Sequence, residues 1–408
     1  MSQSQKVVIV GGGLAGVKTA EALRTSGFEG KISIVAAEDQ LPYERPPLSK
    51  DYLMGKAEFS AQVVHPEAWF AENNVDLLRK TRVTAIDRIA KRVELSDDST
   101  LEYSKLVLAT GSRPRKIPLP GSDARGVHYL RTKNNADALR STFGEGKNVV
   151  LVGGGWIGLE VAAAARTAGS GVTILERLPL PLYPILGEKV AQVFADLHRS
   201  HGVDLRTGVE VKGIQARDGV VTGVELATGE ILPADAVVIA VGAVPSVELA
   251  QEAGLEVDNG VLVDEALRSS DPEIFAVGDI ANQQHPFLGR RLRVEHWATA
   301  LNQPKTIAAA IMGEPASYTD LPYFFTDQYD LGMEYIGNAL PGSYDQVVIR
   351  GDLATREFLA FWVLHGVVIA GMNVNIWDVN EDIQKLIRSQ KPVDHKALAD
   401  PSVGLDQL

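Results

Sequence analysis

The chain has 408 residues, 45% of them hydrophobic and 23% charged, with a formal net charge of -12 and no cysteine. That length exceeds one ordinary core and predicts about two or three domains. The acidic balance argues against a bulk polyanion partner such as nucleic acid, and no apolar run approaches a membrane span. Zero cysteine excludes disulfide frameworks, thiolate metal sites and any redox mechanism built on a protein thiol. So little chain precedes the first predicted strand that no secretory or transit segment fits, and a cytosolic protein is expected.

In chain order, the first predicted element is a β-branched strand over residues 6–10, followed by Gly11-Gly12-Gly13-Leu14-Ala15-Gly16. A helical stretch over 17–25 closes at Gly27, and a second strand covers 31–36. This is the βαβ context in which GxGxxG acquires meaning. Gly11 permits the tight turn, Gly13 lets the backbone approach a pyrophosphate, and Gly16 allows close packing of helix on strand. Glu38 follows at the spacing of about 20 residues expected for a ribose contact. The unit recurs downstream: a strand over 148–152, then Gly153-Gly154-Gly155-Trp156-Ile157-Gly158, a helix over 159–168 closed by Gly169, a strand over 171–175, and the acid Glu176. Two complete fingerprints propose two bound dinucleotides.

Between and beyond these units lie punctuation marks. A buried-looking strand over 105–109 runs into Thr110-Gly111 and a Pro-rich connection, and a strand over 235–241 ends in Gly242-Ala243-Val244-Pro245. A short strand ending in Val277-Gly278-Asp279 returns to the first unit's pattern, so the second unit reads as inserted in the first. A helix is predicted from Trp297 through 298–311, with a kink at Pro304, which lacks the N–H for an i→i−4 bond. From about residue 322 the pattern changes to antiparallel strands over 346–350, 357–364 and 367–371, with His365-Gly366 as a hairpin turn, and a polar helix over 380–389. The expected fold is α/β, with two Rossmann-like dinucleotide-binding domains, one inserted in the other, and a C-terminal α+β domain. The expected domains are 1–112 with 247–321, then 113–246, then 322–408.

The run Tyr43-Glu44-Arg45-Pro46-Pro47-Leu48-Ser49-Lys50 is the sharpest motif, supported in order by Ala109-Thr110-Gly111, Gly158-Leu159-Glu160, Val277-Gly278-Asp279, Glu295-His296-Trp297 and Thr326-Asp327-Gln328. Taken together the set resembles the flavoprotein pyridine-nucleotide reductases of glutathione-reductase-like fold. More narrowly it resembles the NADH-dependent ferredoxin reductases that serve Rieske oxygenases and bacterial cytochromes P450, of the putidaredoxin reductase and biphenyl dioxygenase reductase type. The apoptosis-inducing factor group is a related branch.

The resemblance implies FAD on the first fingerprint, with Gly11, Gly13 and Gly16 at the pyrophosphate, Glu38 at the adenosine ribose, Arg45 along the cofactor and Asp279 at the ribityl chain. Thr110 and Gly111 belong to the same site, and the helix beginning at Trp297 would point its positive end at the flavin pyrimidine edge. It implies a nicotinamide nucleotide on Gly153, Gly155 and Gly158. In similar reductases Lys50 reaches toward flavin N5 and pairs with Glu160 beside the nicotinamide, which makes this pair the expected catalytic environment. An acid at Glu176 accepts from a ribose 2′-OH and repels a 2′-phosphate, so NADH is expected over NADPH, although Arg177 adjoins it. Phe325 stands where several relatives carry tryptophan.

The function so implied is electron transfer from NADH through FAD, singly, to a [2Fe-2S] ferredoxin. The cluster must belong to the partner, since this chain has no cysteine to ligate one. Arg290, Arg291 and Arg293 are the expected basic docking residues on an otherwise acidic chain; a solvated loop explains three arginines equally well. A rubredoxin reductase or diaphorase differs only in its partner, and an NADH-sensing interaction protein is a further alternative. Thiol-dependent members of the same architecture are excluded by composition.

Overall fold

The computed structural model describes residues 5–408, in two compact units. One is built from the chain up to Arg45, Phe59–Arg113 and Ala243–Pro322; the other from Pro46–Glu58, Pro114–Gly242 and Tyr323–Leu408.

The first unit centres on a five-stranded parallel sheet in the order Ile274–Ala276, Lys105–Leu108, Lys6–Val10, Lys31–Val35, Val75–Leu78. Parallel strands covered on both faces read as continuous apolar runs rather than alternating ones. Val7, Val8 and Ile9 accordingly expose 1%, 2% and 0% of their surface, each such side chain stabilising the fold by about 1.5–3 kcal/mol. Helix Leu14–Thr25 leaves the sheet at the first fingerprint and packs against helix Trp297–Met312. The latter runs through Pro304 as one element of 16 residues, so the proline does not end it.

The second unit holds two five-stranded sheets. A five-stranded parallel sheet runs in the order Asp204–Thr207, Gly171–Glu176, Asn148–Val152, Ala236–Ile239, Val127–His128. Helix Trp156–Thr167 follows its fingerprint, and helix Glu188–Ser200 buries the face that carries Val190, Phe194, Leu197 and His198. The other sheet is antiparallel, in the order Tyr323–Gln328, Leu331–Gly337, Val367–Val374, Glu357–Leu364, Gln346–Asp352. His365 and Gly366 turn the hairpin with φ of 50° and 83°, the paired positive φ of a type I′ turn. Helix Asn380–Ser389 packs its apolar side, Ile383, Leu386 and Ile387, onto strands of that sheet. Among the described residues no helix is long and apolar enough to cross a membrane.

Candidate functional site

The first fingerprint is shaped by collisions that glycine avoids. Gly11 has φ +125°, and a Cβ there would lie 2.2 Å from the Ala109 carbonyl oxygen; a Cβ on Gly16 would lie 2.0 Å from Gly11 O. Gly13 differs, because a Cβ on it would meet nothing within 4 Å. Its backbone is extended, it starts the helix without a side-chain cap, and the orphan N–H groups of the first turn are left for an anion. The residues present therefore fit a pyrophosphate, and Gly13 is the position at which a side chain would obstruct one.

Glu38 follows strand Lys31–Val35 and accepts from Tyr43 Oη at 2.6 Å and from the Arg45 guanidinium at 2.7 Å. Arg45 also lies over the Tyr43 ring, 5.1 Å from its centroid. Burial works against the Arg45 charge, yet Tyr43, Glu38 and Asp279 outweigh it and raise its pKa above the ordinary value. Asp279 belongs to the turn after strand Ile274–Ala276 and accepts from Ser112 Oγ at 2.6 Å. Gly278, at φ +73°, donates its N–H to Gln303 Oε1 of helix Trp297–Met312 at 2.8 Å, which fixes that turn against the helix. Thr110 Oγ1 donates to the Ser246 carbonyl, and Gly111 O accepts from the Ser246 amide, both at 2.9 Å. Trp297 is the first residue of its helix.

Arg290, Arg291 and Arg293 fall on strand Arg290–Arg293, antiparallel to Ala281–His285. Arg291 donates to the carbonyls of Val263 and Asn282 at 3.2 and 3.1 Å. Arg293, with 11% of its side chain exposed, pairs with Glu295 and donates to the Asp279 carbonyl at 3.1 Å. These last two guanidiniums already serve their own unit.

The second fingerprint repeats the first. Gly153 has φ +106° and a Cβ there would lie 2.4 Å from Ala240 O, while one on Gly158 would lie 2.3 Å from Gly153 O. Gly155 starts the helix with no side-chain cap. Glu176, at the end of strand Gly171–Glu176, accepts from the Gly154 amide at 2.7 Å and from the Leu178 amide at 2.8 Å. Its carboxylate thus lies directly over the glycine turn.

One turn into helix Trp156–Thr167 lies Glu160, 5% exposed. Lys50 Nζ reaches Glu160 Oε1 at 2.6 Å with 12% of its side chain exposed, and Thr326 Oγ1 donates to the same oxygen at 2.5 Å. Ser49 Oγ donates to the other oxygen. The Lys50 ammonium also sits 5.2 Å from the centroid of the Phe325 ring, so this aromatic faces the cation through its π-surface, which needs no indole N–H. Three donors around one buried carboxylate are what an ionised glutamate needs away from water. The structure thus brings Lys50 and Glu160 together, and adds Ser49 and Thr326 as partners that sequence reasoning did not assign. Both additions lie inside recognised motifs, so the motif residues were visible although their contacts were not.

The pyridine nucleotide-disulphide oxidoreductase family matches residues 5–304, and the reductase C-terminal family matches residues 323–408. Putidaredoxin reductase from Pseudomonas putida is 39% identical over 100% of this chain and 97% of its own length. The ferredoxin–NAD(+) reductase component of an anthranilate 1,2-dioxygenase system from Burkholderia cepacia is 41% identical over 98% of each chain. A putidaredoxin reductase solved in covalent complex with putidaredoxin superposes with a TM-score of 0.95 at 40% identity, covering 99% of this chain and 97% of that one. With fingerprints, turn and buried pair in this arrangement, the chain belongs to the pyridine nucleotide-disulphide oxidoreductase family and carries that family's reductase C-terminal domain.

Proposed function

We propose that this protein is a cytoplasmic NADH-dependent flavoprotein reductase that delivers electrons one at a time to a [2Fe-2S] ferredoxin serving a Rieske oxygenase or cytochrome P450. The reading rests above all on the buried Lys50–Glu160 pair at 2.6 Å, set beside a dinucleotide fingerprint in a chain without cysteine. The relatives' own ferredoxin-linked activities support it. We assign FAD binding to residues 1–112 with 247–321, nucleotide binding to 113–246, and the remaining domain to 322–408.

FAD, when bound, supplies two-electron acceptance from a nicotinamide and one-electron release to an acceptor. The chain supplies binding, orientation and charge. Gly11, Gly13 and Gly16 open the backbone to the FAD pyrophosphate, with Arg45 as its cationic neighbour. Glu38 and Asp279 offer carboxylates to sugar and ribityl hydroxyls, Thr110 and Gly111 hold the adjoining turn, and the helix at Trp297 presents its positive end. Gly153, Gly155 and Gly158 receive the NADH pyrophosphate, and Glu176 selects a 2′-OH over a 2′-phosphate. Lys50 provides a fixed positive charge that favours an electron-rich neighbour, and Glu160 keeps that ammonium in place. An acidic ferredoxin requires a local basic surface on this acidic chain; Arg290, Arg291 and Arg293 are the assignment for it, with Arg291 exposed while it and Arg293 also bond within their own unit.

Anaerobic stopped-flow mixing with NADH and with NADPH tests the reading. Rapid flavin bleaching by NADH, followed by cytochrome c reduction only when a [2Fe-2S] ferredoxin is added, is the expected result. Efficient transfer to a rubredoxin in place of the ferredoxin reassigns the partner, and a protein that binds no FAD sinks the proposal.

A further inference from the structure

Beyond Thr326 the hydrogen bonds continue inward. Gln328 Nε2 donates to Thr326 Oγ1 at 3.2 Å, and Gln328 Oε1 lies 2.9 Å from His198 Nε2. Thr326, Gln328 and His198 expose 0%, 1% and 0% of their surfaces. His198 comes from the apolar face of helix Glu188–Ser200, far in sequence from the Thr326-Asp327-Gln328 motif it meets.

The donor inventory forces one direction on this series. The Thr326 hydroxyl has a single proton and gives it to Glu160, so its oxygen must accept, and the amide nitrogen of Gln328 is the donor that reaches it. The Gln328 oxygen is then left facing His198, which must present Nε2–H. His198 Nδ1 consequently carries no proton, and it has no hydrogen-bond partner among the described residues. Turning the Gln328 amide over would take the Thr326 proton away from Glu160 and bury an unpaired Nδ1–H, an outcome worse at both ends.

Resting on the function proposed above, we propose that Gln328 and His198 are positioning residues. With Thr326 they form a one-way chain of donors that begins at the His198 imidazole, ends at Glu160, and fixes the carboxylate that holds Lys50. The groups around the ring fit this use. The Tyr329 ring stands edge-on to it at 5.3 Å between centroids, and His201, stacked on Tyr329 at 3.7 Å, is a nearby ionisable neighbour that disfavours a second charge. Burial pushes the His198 pKa down to about 4, so the ring stays a neutral donor at physiological pH.

The test uses the FAD-loaded full-length protein with two readouts. Side-chain 15N correlation spectra should show His198 neutral and protonated on Nε2 at pH 7, and Gln328→Met should spread that proton over both ring nitrogens. In single-turnover reduction by NADH, Gln328→Met should lower the limiting rate roughly three- to tenfold while half-saturating NADH changes by less than about twofold, an effect on orientation rather than binding. Thr326→Ser should stay within about twofold of the parent, and Thr326→Val should fall at least as far as Gln328→Met. A ring protonated on Nδ1, or an unchanged limiting rate in folded, FAD-loaded Gln328→Met and Thr326→Val proteins, overturns the proposal. If the parent itself is not reduced by NADH, the functional reading fails, whereas the tautomer still decides the direction of the chain.

Discussion

Glu176 accepts the amide of Gly154, so the acid that ends the second strand of its βαβ unit is tied to the middle glycine of its own fingerprint. With the Leu178 amide on its other oxygen, the carboxylate is held over the glycine turn, where the function proposed above puts the nucleotide's ribose. Glu176→Ala should therefore narrow the preference for NADH over NADPH by about tenfold, the equivalent of one lost charge-assisted hydrogen bond of about 1.4 kcal/mol. Steady-state kcat/KM with the two nucleotides measures this, and an unchanged ratio removes Glu176 from specificity.

The glycines of the first fingerprint separate folding from binding. Gly16→Ala sets a Cβ 2.0 Å from Gly11 O, with backbone on both sides of the clash, and should destabilise the protein by several kcal/mol, more than the usual core overpacking of about 1–3 kcal/mol. Gly13→Ala meets no protein atom within 4 Å and has an ordinary extended backbone. Its stability should stay within about 0.5 kcal/mol of the parent, while FAD retention on a desalting column drops sharply. If Gly13→Ala keeps its full complement of flavin, the pyrophosphate does not lie at this turn.

These glycines were legible because their reasons are local: a strand, a turn and a helix within a few residues. Strands Lys6–Val10 and Glu357–Leu364 and helix Asn380–Ser389 came out of the sequence at their observed limits for the same reason. The Glu160 environment was legible only in part. Lys50 and Glu160 were paired through family resemblance, since no periodicity links residues so distant in the chain. Ser49 and Gln328 lay unassigned inside recognised motifs. His198 carried no signal at all, because a histidine on the apolar face of an amphipathic helix looks like any satisfied core residue until its partner from another strand is known.

Removing either member of the buried pair should act on stability and on rate to different degrees. In Lys50→Met, Glu160 keeps its Ser49 and Thr326 donors, so the loss of stability should be about 1–3 kcal/mol, below the roughly 3–5 kcal/mol typical of breaking a buried pair. Glu160→Leu leaves Ser49 and Thr326 without their acceptor and should cost more. Both should slow flavin reduction by at least about tenfold. Urea denaturation and stopped-flow bleaching measure the two effects, and a Lys50→Met protein with the parent's reduction rate removes the lysine from the chemistry.

The buried His198 makes a pH prediction with a definite sign. Its pKa is pushed from 6.5 to about 4 by burial, so the unfolded chain takes up a proton first as the pH falls. Above 6.5 the ring is neutral in both states and its contribution is complete. Between about 6.5 and 4 the folded state should lose stability at up to about 1.4 kcal/mol per pH unit from this one group, levelling off once the folded ring also protonates. Carboxylates with lowered pKa, such as Asp271 beside Arg88 and Asp137 beside Lys133, add acid sensitivity of the same sign at lower pH, so the absolute slope is a mixture. The difference from His198→Gln isolates the histidine, because the amide can still donate to Gln328 but does not titrate. Urea midpoints at pH 7, 6 and 5 should show the variant gaining on the parent by roughly one proton's worth of slope as the medium turns acid, and parallel slopes would mean that His198 protonates in the folded protein as readily as in the unfolded chain.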